Sequence, residues 1–238
     1  SALTDLINKL TDVDYDTTFC EIVGHCCVVL EQFLYEDDTE IRTLSLKMIS
    51  QVIIRLKRDI VGYATLIFPI LLIYCNDPEV SKDALNVLNI NFPTTEKKVS
   101  LFNKMQYDIC EKISSTFRSM KTLLFTKESI GRVSAACLAL TIQIIKTVGK
   151  TDFVNELIST IHISDMLQIS NNAFLPSATP ELRKASYEYL NFVEIEDCNA
   201  ILVYLECDDS ILSQESLINL TISLINNEKI DKSAVQAS

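Results

Sequence analysis

Residues 37–91 constrain the fold most strongly, because they read as three successive helices with sharp boundaries. In the first, apolar residues recur every three or four positions and polar residues occupy the other face. Asp37, Asp38 and Thr39 precede this helix and can cap its unpaired N–H groups. Residues 60–75 are apolar nearly all round, and this run of 16 residues is shorter than the ~20 that span a bilayer. The stretch therefore predicts helices that pack on one another.

Similar helix starts recur along the chain. The three closest versions are Asp38-Thr39-Glu40-Ile41-Arg42, Asp77-Pro78-Glu79-Val80-Ser81 and Thr179-Pro180-Glu181-Leu182-Arg183. A looser version begins at Glu128. These starts resemble the HEAT repeat, in which an acidic cap, an aliphatic–Arg pair and a small-aliphatic stripe open the second helix of each unit. The first two starts are 39 residues apart, close to the ~40–47 residues of HEAT and armadillo units.

The resemblance implies an all-α fold, a HEAT-like α-solenoid of about four to six antiparallel helix pairs. It covers residues 20–225, and we expect residues 1–238 to form a single α-helical repeat domain. The start Ser1-Ala2, without methionine, leads us to expect a fragment of a larger protein. Because the later starts are irregularly spaced, an irregular helical bundle is the alternative. The scarcity of glycine (4) and proline (5) argues against an all-β chain.

The remaining helices follow from the same periodicity. Residues 200–205 are apolar and fit either a short buried helix or a strand, and Gly149 lies where a helix C-cap is expected. Residues 171–179 have loop chemistry, and the polar tail 232–238 is expected to fray. The other predicted helices are 3–10, 17–35, 99–124, 127–148, 152–169, 180–193 and 213–226.

The charge of the chain is unevenly distributed. The net charge is −11, and by segment it is −9 for residues 1–40, +1 for 41–96, +7 for 97–150 and −10 for 151–238. In a solenoid, consecutive segments are stacked neighbours, so such blocks become surface patches. The basic segment 97–150 could therefore meet an acidic or helical protein partner, although a solvated helix face gives the same pattern.

The candidate partner-binding residues are the basic side chains of this segment. They are Lys97, Lys98, Lys104, Arg118, Lys121, Lys127 and Arg132. Nucleic acid is disfavoured as a partner, because the whole chain is acidic with a pI near 4.7.

The sequence offers little for catalysis. His25 and His162 are far apart, the eight cysteines form no CxxC pair, and no nucleotide-binding loop or hydrolase motif is present. The acidic clusters match no calcium-loop spacing and are explained as helix caps and loops. We therefore expect no enzymatic activity, no cofactor and no metal. Without a signal peptide or membrane span, the expected location is the cytoplasm or the nucleus, with no membrane partner.

These observations favour a non-catalytic protein–protein interaction scaffold, a helical-repeat segment of a multi-subunit assembly. One alternative is a tubulin-binding HEAT array of the TOG type, which has a similar length. The chain departs from that family's pattern, because it has no tryptophan for the first binding loop and is acidic overall. The other alternative is nucleic-acid binding through residues 97–150.

Overall fold

The computed structural model describes residues 2–12, 17–122, 125–163, 167, 178–195, 198–227 and 229–230, and this part of the chain contains helices and no strand. The all-α prediction is therefore confirmed. A 3₁₀ segment, Lys57–Tyr63, joins the third and fourth α-helices. The α-helices are α1 Ala2–Asp12, α2 Thr17–Phe33, α3 Thr39–Leu56, α4 Ala64–Tyr74, α5 Ser81–Leu88, α6 Thr95–Thr122, α7 Lys127–Val148, α8 Asp152–Thr160, α9 Pro180–Leu190, α10 Asn199–Cys207 and α11 Ile211–Asn226.

The helices form two layers. In one layer, α2 packs on α4, α4 on α6, and α6 on α8. In the other, α3 packs on α5, α7 on α9, and α9 on α11. Consecutive pairs α2–α3, α4–α5, α6–α7 and α10–α11 join the layers, so packing proceeds from neighbour to neighbour along the chain, as in a helical repeat fold.

Most helix boundaries agree with the sequence prediction, and the differences have local causes. Asp77 caps as expected, accepting a hydrogen bond from the Glu79 amide at 2.9 Å, but residues 77–80 form a turn and α5 begins only at Ser81. Helix α6 begins earlier than predicted, at Thr95, and bends at Met105, where φ is −118°. Gly149 has φ +81° and its N–H donates to the Ile145 carbonyl at 3.0 Å, which confirms the C-cap.

The structure can be compared with two of the other predicted segments, whereas two more lie mostly or wholly outside the described residues. Residues 200–205 are helical, within α10, which removes the strand alternative. The first part of the predicted helix 152–169 is confirmed as far as Thr160, where the regular helix ends, and residues 164–166 and 168–169 lie outside the described residues. Most of the predicted loop 171–179 and all of the tail 232–238 lie outside the described residues.

Helix α7 is the central helix of the fold. By length and composition it is the one described helix that could cross a membrane. Its apolar side chains are instead covered by α4, α6 and α9, and Val133, Cys137, Leu138, Leu140 and Ile144 are at most 1% exposed. Burial by neighbouring helices accounts for its apolar character.

Candidate functional site

A buried carboxylate, Asp77, links three of the repeated helix starts. The Arg42 Nε lies 3.4 Å from Asp77 Oδ2, and Arg132 Nη1 donates to the same oxygen at 2.5 Å. The Asp77 and Arg42 side chains are 1% and 0% exposed, and that of Arg132 is 11% exposed. A buried carboxylate is costly unless it has cationic and hydrogen-bonding partners. Both guanidinium groups place positive charge beside Asp77, and Arg132 also donates a hydrogen bond to it.

The same two arginines also hold the backbone between α2 and α3. Arg42 Nη1 donates to the carbonyls of Glu36 at 2.5 Å and Asp37 at 2.9 Å. Arg132 Nη2 donates to the carbonyls of Leu34 at 3.0 Å and Glu36 at 2.9 Å. Glu79, half-exposed, forms a further ion pair with Arg42. The aliphatic–Arg element of the repeat is therefore a structural cross-link at this point of the stack.

A second network repeats this arrangement near the C-terminal end. Arg183 Nη2 lies 3.2 Å from Asp208 Oδ1, and both side chains are buried. Asp208 also accepts hydrogen bonds from Tyr187 Oη at 2.9 Å and Ser213 Oγ at 2.8 Å. Burial, followed by the hydrogen bond to Asp208, raises the pKa of Tyr187 well above its usual range. The network joins α9 to α11.

Close contact between α7 and α9 depends on Gly131. A Cβ added at Gly131 would lie 2.4 Å from Thr179 Oγ1 and 2.7 Å from Thr179 Cγ2. Thr179 cannot move freely, because its hydroxyl accepts a hydrogen bond from the Leu182 amide and caps α9. Glycine is therefore required here by the approach of the two helices rather than by its backbone conformation.

The change Gly131→Ala is expected to lower the free energy of unfolding by about 1–3 kcal/mol, because overpacking outweighs the gain in helix propensity. Urea unfolding followed by far-ultraviolet circular dichroism measures the change. The matched control is Gly24→Ala on α2, where an added Cβ meets nothing within 4 Å. There the propensity gain should leave stability unchanged or raised by up to ~1 kcal/mol. Equal effects at the two glycines would contradict the packing argument.

The seven sequence-predicted binding residues do not form one patch. Lys97, Lys98 and Lys104 lie near the start of α6, whereas Lys121 lies in its last turn. At 1.5 Å per residue, Lys121 is about 36 Å along the helix from Lys97 and about 25 Å from Lys104. Arg132 is turned inward to Asp77, so its charge is neutralised within the fold. Arg118 is exposed, and its Nη2 atom lies 2.6 Å from Oε1 of Glu111, which is also exposed.

One end of the basic segment does converge on a groove between α6, α7 and α9. The groove has a volume of about 520 Å³. Arg118, Lys121 and Lys127 line it, together with His162. Its apolar wall residues are Phe117, Met120, Phe125, Ile130, Ala178 and Leu182. We call this the basic groove. Sequence reasoning missed it, because its walls come from segments up to about 65 residues apart.

A second groove, of about 660 Å³, lies along the N-terminal ends of the helices. Asp37, Glu79, Glu128 and Glu181 contribute carboxylates to it, and Arg132 also lines it. Each carboxylate belongs to a helix start or its flanking turn, where the positive end of a helix favours negative charge. Capping therefore accounts for this acidic groove.

The buried thiols are not activated nucleophiles. Burial raises the pKa of Cys26 to about 11 and of Cys75 and Cys110 to about 12. Cys27 is raised to about 11 by burial and by its neighbour Cys26. Thiolate is the reactive form, so these side chains act as small apolar core residues. Among the described residues, no group of three or more His, Cys, Asp or Glu side chains is placed to hold a metal ion.

Comparison with known proteins gives one finding. The family model of the E3 ubiquitin-protein ligase listerin, N-terminal domain, matches residues 1–227. No curated protein and no solved structure gave a significant match. The prediction of no enzymatic activity is wrong, because the matched family is the N-terminal domain of an E3 ubiquitin ligase, which is an enzyme. The matched part is not the catalytic RING of that ligase.

Proposed function

The chain belongs to the family of listerin N-terminal domains, and from this membership we propose that it is a helical-repeat protein-interaction segment of an E3 ubiquitin ligase. The two-layer stack supports this proposal, since stacked repeats offer long surfaces for other proteins. We further propose that residues 1–238 act as one domain of a larger protein. Among the described residues, the core cluster extends from Leu10 to Ile230, which supports the single-domain part of this proposal.

The observation that carries the binding proposal is the basic charge of α6 and α7 between two acidic ends. Six of the seven predicted residues have side chains at the surface, in two clusters. The first, at the start of α6, contains Lys97, Lys98 and Lys104; the second, at the basic groove, contains Arg118, Lys121 and Lys127. An acidic protein surface that reaches both clusters would have complementary charge along α6. Of the two compartments expected from the sequence, the family match favours the cytoplasm and gives no support to the nucleus.

Charge reversal tests this proposal. A partner is first recovered by affinity capture from cell extract on the complete chain, eluted with a salt gradient and identified by mass spectrometry. Changing either cluster to glutamate is expected to weaken its binding by about tenfold or more, because each reversal replaces an attraction with a repulsion. The salt dependence of the affinity should also become shallower.

The matched control reverses three exposed bases on α3, the 3₁₀ segment and α5, namely Lys47, Arg58 and Lys82. This variant has the same net charge as either cluster variant. A loss of affinity equal to that of the cluster variants would show that only total charge matters and would remove the proposed surface. Two parallel assays separate the alternatives from binding to another protein. Binding to purified tubulin tests the tubulin-binding alternative, and capture from nuclease-treated extract tests the nucleic-acid alternative.

A further inference from the structure

The basic groove combines apolar walls with a cationic edge. Its walls are apolar, and Phe117, Met120 and Leu182 are each at most 8% exposed. Its edge is cationic, formed by Arg118, Lys121 and Lys127. A ligand that fills it must therefore carry apolar groups and negative charge close together.

The size of the groove fits side chains rather than a flat surface contact. A volume of about 520 Å³ lies within the ~300–1,000 Å³ of pockets that enclose small ligands. Large apolar side chains that enter such a pocket supply most of the affinity of many protein interfaces. Met120 in the wall can adapt to different side chains, because its thioether chain is flexible.

The cations are placed to meet carboxylates beside such an anchor. Arg118 and Lys121 are three residues apart on α6 and therefore lie on the same side of the helix. Lys127, in the first turn of α7, approaches from the neighbouring helix. The exposed pair of Arg118 with Glu111 contributes little stability, so exchanging that carboxylate for one from a partner costs little.

From this geometry we infer that the basic groove binds an acidic peptide segment, inserting one or two large apolar side chains between α6, α7 and α9 while flanking carboxylates pair with Arg118, Lys121 and Lys127. The inference rests on the proposed function, because it specifies how a protein partner is recognised at one of the two clusters. It adds a requirement that charge alone does not impose, namely an apolar anchor.

The test uses the complete chain and three fluorescein-labelled synthetic peptides of equal length. The first has a central Leu-Phe pair between runs of Asp and Glu, the second replaces that pair with Ser-Ser, and the third replaces the acids with Lys. Fluorescence anisotropy measures affinity. The Leu-Phe acidic peptide is expected to bind at least about tenfold more tightly than either of the others.

Variants then locate the binding. Changing Lys121 and Lys127 to glutamate should lower the affinity for the Leu-Phe peptide by about tenfold or more. Thr160 is exposed at the edge of the groove, so Thr160→Trp should obstruct entry of the peptide and lower its affinity by a similar factor. Because the chain has no tryptophan, Phe125→Trp provides a single reporter in the groove wall. Its emission should shift when the peptide binds, whereas that of Phe153→Trp on α8, outside the groove lining, should not.

The outcomes separate this inference from the broader function. Equal binding of the Ser-Ser and Leu-Phe peptides would overturn the anchor while leaving charge-driven partner binding intact. Three other results would each overturn the inference. They are tighter binding of the Lys peptide, no binding of any peptide to the folded chain, and a response to phosphatidylserine vesicles in place of the peptide. If the Leu-Phe peptide binds the groove but the captured partner is unaffected by reversing either cluster, the inference stands and the proposed partner surface fails.

Discussion

Replacing Asp77 with asparagine is expected to lower the free energy of unfolding by about 3–5 kcal/mol, because the change leaves buried arginines without their shared counter-ion. Arg42 is fully buried, so water cannot replace the lost charge there, whereas Arg132 is 11% exposed and keeps a small contact with the acidic groove. The amide of asparagine keeps only one acceptor oxygen and carries no charge. Urea unfolding monitored by far-ultraviolet circular dichroism measures the loss.

Glu79→Gln is the matched control for Asp77→Asn. Glu79 pairs with the same Arg42, but its side chain is 51% exposed, so water can replace it. We expect a loss of no more than about 1 kcal/mol. If the two variants were equally destabilised, the burial of Asp77 would not be what makes its charge important.

Replacing Asp208 with asparagine is expected to have a loss of similar size, about 3–5 kcal/mol, because Arg183 would remain buried without its main counter-ion. Tyr187 and Ser213 would also lose a charged hydrogen-bond acceptor. Native-state hydrogen exchange should show the loss first in α9 and α11, since stability in a repeat stack is largely set by neighbouring contacts.

The neighbouring residue supplies the control for Asp208. Asp209 Oδ1 lies 3.7 Å from Nη2 of the same Arg183, and the Asp209 side chain is 72% exposed. Asp209→Asn is expected to change stability by less than about 1 kcal/mol. Equal exchange protection throughout the Asp208→Asn variant and the unaltered chain would contradict a structural role for the second network.

The helices could be predicted from the sequence because their signals are local. Asp38 caps α3 by accepting a hydrogen bond from the Glu40 amide at 2.8 Å, and Thr126 caps α7 by accepting one from the Ser129 amide at 3.0 Å. In both cases the cap and its donor are within three residues. Apolar residues that recur every three or four positions, which is an equally local pattern, identified the buried faces of the helices.

The ion-pair networks could not be predicted in the same way. The Asp77 cap was visible in the sequence, but its role as a counter-ion depends on Arg132, 55 residues away. Periodicity shows which residues share a helix face and does not show which helices meet. For the same reason Arg132 was predicted to bind a partner, although the fold neutralises its charge internally.

Counting charges along the sequence identified the basic segment but did not define a surface. Counting charges over residues 97–150 ignores the length of α6, which separates Lys97 from Lys121 by many helical turns. The basic groove required the approach of α9 to α6 and α7, and no local pattern encodes that approach. The enzyme prediction failed for a different reason: the residues of this chain carry no catalytic motif that would indicate the ligase whose N-terminal domain the matched family describes.

The connections of Asp77 also bear on the order in which the chain can mature. Arg42 precedes Asp77 along the chain and Arg132 follows it, so a chain made from its N-terminus can pair Asp77 with Arg42 long before Arg132 exists. We expect the first helix pairs to associate early and loosely. The arrival of α7 then brings Arg132 to Asp77 and to the carbonyls of Leu34 and Glu36. Nascent chains that stop before α7 should therefore be more sensitive to proteases than those that include it.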